Sequence, residues 1–433
     1  MVAAGDARRC RWATCMMGSH LAWAIPVAIP VIVASATVNA DDQVALPAPL
    51  GVGDVVRLAQ ARRAEVVAAR ARASAAAERP EIVSALDDPQ VFPSIDHAPF
   101  MGGGADVSLA IEQSFPLSGI RGHRRRAAEA DTRRALAEID RVGLDVELDA
   151  AAAFWMLAET RDAAQIVDEQ RALADQMVTA ATARYATNTG AQADVLRAQL
   201  EVARLDGERR ALVAEVHAAE AMLNTSLARA ADAPIPELDA TISDDGPPLA
   251  AQVASAALDR RPELRAGRAE VARSEAEVSV MQAMYMPMAM LRTGPSYTMS
   301  DGAGWMVMVG VTIPLWRGKL RAGVAEARSM ADMASADLEA MRRMVGGQAV
   351  VARERVVAAR ERYLALRDSI VPRAKEAIAP TLAAYAANQM PLVSTLEAAQ
   401  ALWSAQRDLV MARAELGRAW ARLHRATGEE TTR

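Results

Sequence analysis

The chain has 433 residues, 52% of them hydrophobic but only 4% aromatic, with Ala, Arg, Glu and Leu in excess, a mixture that favours long helices over a thick aromatic core. Its formal net charge of -5 gives no electrostatic support to nucleic-acid binding. Both cysteines, Cys10 and Cys15, fall in the first fifteen residues, so the remainder has no thiol nucleophile.

Residues 1–40 read as an export signal: Arg8, Arg9 and Arg11 are followed by the apolar stretch Leu21 to Ala36, then Val38-Asn39-Ala40 before Asp41-Asp42. Cleavage after Ala40 removes both cysteines, and a cysteine-free mature chain suits an oxidising periplasm. Pro26 and Pro30 make the apolar stretch unusual and leave an N-terminal membrane anchor as the alternative. No other segment offers eighteen consecutive apolar residues, which excludes an inner-membrane transporter built of helices.

Beyond the signal the chain repeats itself after about 200 residues. Arg62-Arg63-Ala64-Glu65-Val66 returns as Arg260-Arg261-Pro262-Glu263-Leu264, Phe115-Pro116-Leu117 as Ile313-Pro314-Leu315, and Ala183-Arg184-Tyr185-Ala186-Thr187-Asn188 as Ala383-Ala384-Tyr385-Ala386-Ala387-Asn388. The period is too long for a solenoid unit and marks a duplicated half-protein, with repeats over 41–245 and 246–433. Each half reads as helix, strand pair, long helix, turn, helix. The first helices run from about Asp54 to Glu78 and from about Leu249 to Gln282. Pro80, Pro89, Pro93, Pro99 and Gly102-Gly103-Gly104, and in the second half Pro287, Gly294, Pro295, Gly302 and Gly304, then admit strands and turns rather than helices. From Gly119 to Tyr185 there is no proline, nor from Gly318 to Val371, and apolar residues recur at helical spacing. A helix of roughly 65 residues is about 100 Å long, far longer than a globular domain needs.

The strands carry the decisive pattern. Trp305, Val307, Val309, Val311, Ile313 and Leu315 alternate with Met306, Met308, Gly310, Thr312 and Pro314; Val107, Leu109, Ile111, Gln113, Phe115 and Leu117 alternate with Ser108, Ala110, Glu112, Ser114 and Pro116. Such alternation fits a lipid-facing barrel strand and also a half-buried soluble strand. Trp305 and Trp316 at the flanks, where interfacial aromatics sit, and the basic Arg317, Lys319 and Arg321 beyond favour lipid. Four strands cannot close a barrel, and lipid tolerates no open edge, so copies of the chain must share one.

With these features the chain resembles the TolC-type outer-membrane efflux channel family. The resemblance rests on the two halves, the Phe-Pro-Leu and Ile-Pro-Leu strand ends, and the Tyr185 to Gly190 segment before Asp194-Val195-Leu196; Asp88-Pro89-Gln90 resembles the heavy-metal branch. It implies a mainly α fold with a membrane β-barrel portion: a homotrimer with four β-strands per chain in one barrel, and a long periplasmic α-helical barrel. It further implies an outer-membrane location and a passive duct for substrates delivered by an inner-membrane pump and a periplasmic adaptor. The adaptor-contact turns would hold Thr189 and Gly190 in the first half and Met390 and Pro391 in the second. Because Gly190 supplies the positive φ a tight turn often needs and Met390 cannot, the second turn is expected to be built differently. Acidic residues past the turns, Asp194 and Glu397, would form the periplasmic gate.

If Arg292 faces an aqueous lumen, strand parity puts Met288 and Met290 beside it, and Met306 and Met308 on the neighbouring strand. Thioethers favour Cu(I) and similar soft ions, although Met is also a flexible apolar filler. The cargo is therefore a heavy metal such as copper or silver, or else a drug or other organic compound. No cofactor is implied, and no catalytic motif appears: the histidines lack H-E-x-x-H spacing, and there is no G-x-S-x-G or phosphate loop. Trp155, Trp403 and Trp420 sit at helical positions as packing residues. A periplasmic coiled-coil adaptor or a structural rod explains the helices but not two strand hairpins.

Overall fold

The computed structural model describes residues 46–97 and 105–429. The export signal at 1–40 and Gly102-Gly103-Gly104 lie outside the described residues.

Strand β1 (Leu50–Gly51) leads into α1 (Val52–Arg62) and α2 (Ala64–Ser84), and α2 runs on past Glu78 with Pro80 inside it, so Pro80 does not end the helix as expected. The Asp54 carboxylate accepts the Gly51 N–H at 3.3 Å and starts α1. One continuous helix was expected here, but Arg63 breaks it with extended φ -64, ψ 131. The second half repeats the break: α5 (Ala250–Arg260) and α6 (Pro262–Ala283) flank Arg261 at φ -58, ψ 124. Pro262 there disfavours a helical residue before it. At each corner the arginine pairs with the glutamate two residues on, Arg63–Glu65 at 2.7 Å and Arg261–Glu263 at 2.8 Å.

Strands β2 (Gln90–His97) and β3 (Asp106–Pro116) follow α2, then α3 (Ile120–Ala186) and α4 (Gln192–Ser226). Helix α3 has 67 residues, about 100 Å at 1.5 Å per residue. After β4 (Leu238–Asp239), which pairs in parallel with β1, the order returns with α5, α6, β5 (Met288–Thr298) and β6 (Gly302–Thr312). The second rod is segmented where α3 is continuous: α7 (Arg317–Ala365), a π-helical turn over Leu366–Ile370, α8 (Val371–Glu376) and α9 (Ile378–Ala386) precede α10 (Leu392–Thr427). Pro372 explains the change, because it offers no N–H to the helical ladder and its ring crowds the carbonyl four residues back; the backbone widens into π geometry just before it.

The two cores match residue by residue. Buried Val55, Ala59, Val66, Val146, Ala150, Leu157, Ala219 and Leu223 belong to one cluster, and Val253, Ala257, Leu264, Val345, Ala349, Val356, Ala419 and Leu423 to the other. Helix α10 joins the halves along α3 and α4 through a ladder of ion pairs: Arg407–Glu208 at 2.9 Å, Arg413–Asp162, Arg418–Glu159 at 2.6 Å and Arg425–Asp145 at 2.6 Å. Such part-exposed pairs add little stability singly, but together they select one register for helices whose contacts are largely alanine. Among the helices the packing is closest at Gly417 on α10, over which the Trp155 indole lies: a Cβ there would meet the ring at 2.1 Å.

The four long strands form one antiparallel sheet in the order β2-β3-β5-β6. Hairpins from the two halves are thus joined side by side through β3 and β5. No helix among the described residues is long and apolar enough to cross a membrane.

Candidate functional site

Two surfaces combine exposure with chemistry: the faces of the sheet and the tips of the helical hairpins.

The register of the sheet separates the strand residues into two sets. Pairs Ile111↔Thr293, Thr293↔Val307 and Leu291↔Val309 lie on one face, and Glu112↔Arg292, Arg292↔Met308 and Met290↔Gly310 on the other. The first face is exposed and apolar, with Val91, Leu109, Ile111, Trp305, Val307 and Val309 all in the open; Val309 is 72% exposed. Nothing among the described residues covers this face, and a contiguous patch of this size marks contact with lipid or protein. Strands β3, β5 and β6 each have 11 residues, enough to cross a bilayer when tilted. The opposite face is polar. Arg292 donates from Nε to Glu112 at 2.9 Å and lies 4.4 Å over the Phe92 ring, and the Ser94 and Ser108 hydroxyls meet at 2.6 Å. A charged pair belongs on a water-filled interior rather than in hydrocarbon, so Arg292 marks the inner face. Met288, Met290, Met306 and Met308 all lie on that face.

The hairpin tips are built alike, contrary to expectation. The left-handed residue is Asn188 at φ 56 in the first tip and Asn388 at φ 60 in the second, and Gly190 is not in the positive-φ region. Asn tolerates that region and serves as a helix stop. The backbone bonds correspond: Asn188 N–H to Tyr185 O and Asn388 N–H to Tyr385 O, both 3.0 Å; Thr189 N–H to Arg184 O at 2.9 Å and Gln389 N–H to Ala384 O at 2.8 Å. Ala191 and Pro391 then stand at matching extended positions before α4 and α10. Met390 therefore requires no different turn. Glycine at 190 answers a different need, since a Cβ would come within 2.9 Å of the Arg184 Cβ.

A junction between the tips was not anticipated. Arg184, whose repeat counterpart is Ala384, reaches from α3 into the second tip: Nη1 donates to Tyr385 O at 3.0 Å, and Nη2 donates to Asn388 Oδ1 and to Thr189 O at 2.8 Å. Its guanidinium lies 4.4 Å over the Tyr385 ring, which is fully buried, whereas the counterpart Tyr185 is exposed. Burial, with the Asp194 carboxylate nearby, pushes the Tyr385 phenol above its ordinary range. A repeat-against-repeat comparison at 184 and 384 was the available signal. Asp194 stands in the first turn of α4, where the helix N-terminus favours a carboxylate. Glu397 lies exposed in the second turn of α10. The chain thus places Asp194 against the junction, and Glu397 on the open surface.

Trp155 and Trp403 are buried and Trp420 is partly buried, all three in the helix packing. No group of three or more His, Cys, Asp or Glu side chains gathers as a metal centre among the described residues.

Residues 253–429 match the family model described as outer membrane efflux protein. No curated protein matches in sequence. Among solved structures, the outer-membrane protein VceC of Vibrio cholerae is 17% identical with a TM-score of 0.73, over 87% of this chain and 96% of its own. CusC is 14% identical with a TM-score of 0.76, over 87% and 92%. The open state of the Neisseria gonorrhoeae MtrE outer membrane channel is 16% identical with a TM-score of 0.72, over 88% and 90%. At these identities the likeness is one of fold. Residues 253–429 thus match the outer membrane efflux protein model, and the described chain has the fold of these outer-membrane channels.

Proposed function

We propose that the chain is the outer-membrane duct of an efflux system, a passive conduit rather than an enzyme. The observation that carries this reading is the two-faced sheet: an exposed apolar surface on strands of membrane length, backed by a face that holds the Arg292–Glu112 ion pair. The open edges at β2 and β6 need partners, because lipid offers no hydrogen bonds. Three copies, with four strands each, would close one barrel, and the rods α3 and α7 would extend it as a tunnel through the periplasm. A periplasmic adaptor would dock at the tips that carry Thr189, Gly190, Met390 and Pro391, and an inner-membrane pump would supply the energy. Asp194 and Glu397 would line the narrow end and favour cations. The cargo would be soft metal ions or, alternatively, organic compounds.

Planar-bilayer conductance of the purified full chain, with its mass in detergent, tests the reading. A trimer with stable cation-preferring conductance is expected. A non-conducting monomer would refute the duct. Conductance whose ion preference is unchanged in D194N and E397Q would remove those carboxylates from the gate.

A further inference from the structure

We infer that the inner face of β5 and β6 is a binding track for a soft monovalent cation such as Cu(I) or Ag(I), made of methionine thioethers. The inference rests on the duct reading for its physiological use, but the site itself is defined by the register of two strands.

Four successive cross-strand rows on the inner face are Met288↔Thr312, Met290↔Gly310, Arg292↔Met308 and Gly294↔Met306. Each row contains one methionine. The sulfur donors therefore follow one another along the sheet, first on β5 and then on β6, at two-residue steps of roughly 7 Å. The change of strand falls where it can be accommodated. Gly310 leaves a slot opposite Met290, and the Met290 methyl lies over it, 2.8 Å from where a Cβ would stand. Met290 thus leans towards β6, beside Met308 in the next row. Gly294 brings no side chain to the row of Met306, because the β3 backbone closes over it: a Cβ there would meet Leu109 O at 2.0 Å.

The duplication supplies an internal control. If methionine were merely filler on this face, the equivalent strands of the first half would be expected to use it as well. They place Phe92, Ser94, Ser108, Ala110, Glu112 and Ser114 there instead, with no methionine.

The surroundings select the ion. Thioethers are neutral and soft, and favour Cu(I)-like ions over hard divalent ones. Glu112, the carboxylate in these rows, is already paired with Arg292, which also rests on Phe92, so among the described residues these rows offer hard cations no free carboxylate. Passage needs sites that hold an ion weakly and repeatedly. A run of donors at one per row meets that requirement better than a closed cage.

The test is Ag+ titration by calorimetry of the purified full chain in chloride-free nitrate buffer, with potassium conductance in planar bilayers measured on the same preparations. The wild type is expected to bind Ag+. The fourfold variant M288L/M290L/M306L/M308L should bind at least roughly tenfold more weakly while conducting potassium as before. The control M330L/M333L/M344L, which removes exposed thioethers of α7, should bind like the wild type. Equal Ag+ affinity in the wild type and the fourfold variant overturns the track, as does absence of binding to the wild type. If the fourfold variant does not conduct, the size-matched single swaps M290L and M308L, which are usually tolerated, decide the matter, and unchanged affinity in both overturns it. A wild type that binds Ag+ but does not conduct refutes the duct while leaving the site in place.

Discussion

Arg184→Ala should loosen the junction between the two hairpin tips. The side chain makes hydrogen bonds to Tyr385 O at 3.0 Å, Thr189 O at 2.8 Å and Asn388 Oδ1, and its guanidinium covers the buried Tyr385 ring at 4.4 Å. A hydrogen bond to a charged group contributes about 1.5–3 kcal/mol when desolvated, and a cation–π contact about 0.5–2 kcal/mol. The Nη2 contacts are solvent-exposed and count at the low end. Truncation should therefore cost about 2–4 kcal/mol of coupling between the tips, which raises their opening equilibrium roughly 30- to 1000-fold at about 1.4 kcal/mol per decade. Hydrogen exchange reads this directly. The amides of Thr189, Asn388 and Gln389, which close the two turns, should exchange faster by that factor. Arg171→Ala, which removes exposed pairs with Asp175 and Asp206 on the same hairpin, should leave them nearly unchanged. A double-mutant cycle with Tyr385→Leu isolates the ring contact. Tip exchange in Arg184→Ala no faster than in Arg171→Ala would refute the junction, and strict additivity with Tyr385→Leu would refute the ring contact within it.

Other outcomes follow from the same geometry. Val309→Arg, at an exposed apolar position of β6, should cost about 2–4 kcal/mol if that face meets the bilayer core; membrane fractionation should show the variant lost from the outer membrane, whereas Ser114→Arg on the inner face should still insert and should change conductance. Gly417→Ala drives a methyl into the Trp155 indole and should destabilise by about 1–3 kcal/mol, as read by denaturant unfolding of the helical signal. Burial lowers the His424 pKa from its ordinary value, so the unfolded chain binds the proton more readily. The stability His424 contributes is present above about pH 6.5 and declines as pH falls below it, and His424→Gln should flatten that limb of the stability profile. The Tyr385 phenol is raised, so its contribution is intact below about pH 10 and falls as pH rises beyond; Tyr385→Phe should remove this alkaline loss.

Much of the architecture could be read from residue spacing, because each signal was local. Alternation over ten residues placed Val309 and Met308 on opposite faces, and the register of β5 and β6 bears this out. The proline-free run to Tyr185 became a single 67-residue helix. The tips were misjudged for a physical reason: glycine at 190 suggested positive φ, but asparagine two residues earlier takes that role, and the glycine is there because Arg184 passes close by. That closeness is set within the turn itself, where the Gly190 N–H folds back onto Arg184 O at 3.1 Å, whereas the reach of the Arg184 guanidinium to Asn388 spans some 200 residues of sequence.

The sequence by itself determined the duplication, the long rods and the two faces of each strand, since periodicity and proline placement act within one element. Only the tertiary structure decided which elements meet. Helices rich in alanine can slide past one another at little cost in buried area, so the register of α10 on α3 is chosen by distant pairs such as Arg418–Glu159 and by Trp155 over Gly417. The same holds for the tips: Arg184 reaches Tyr385 and Asn388 because packing of the two halves brings them together, and no local spacing encodes that contact.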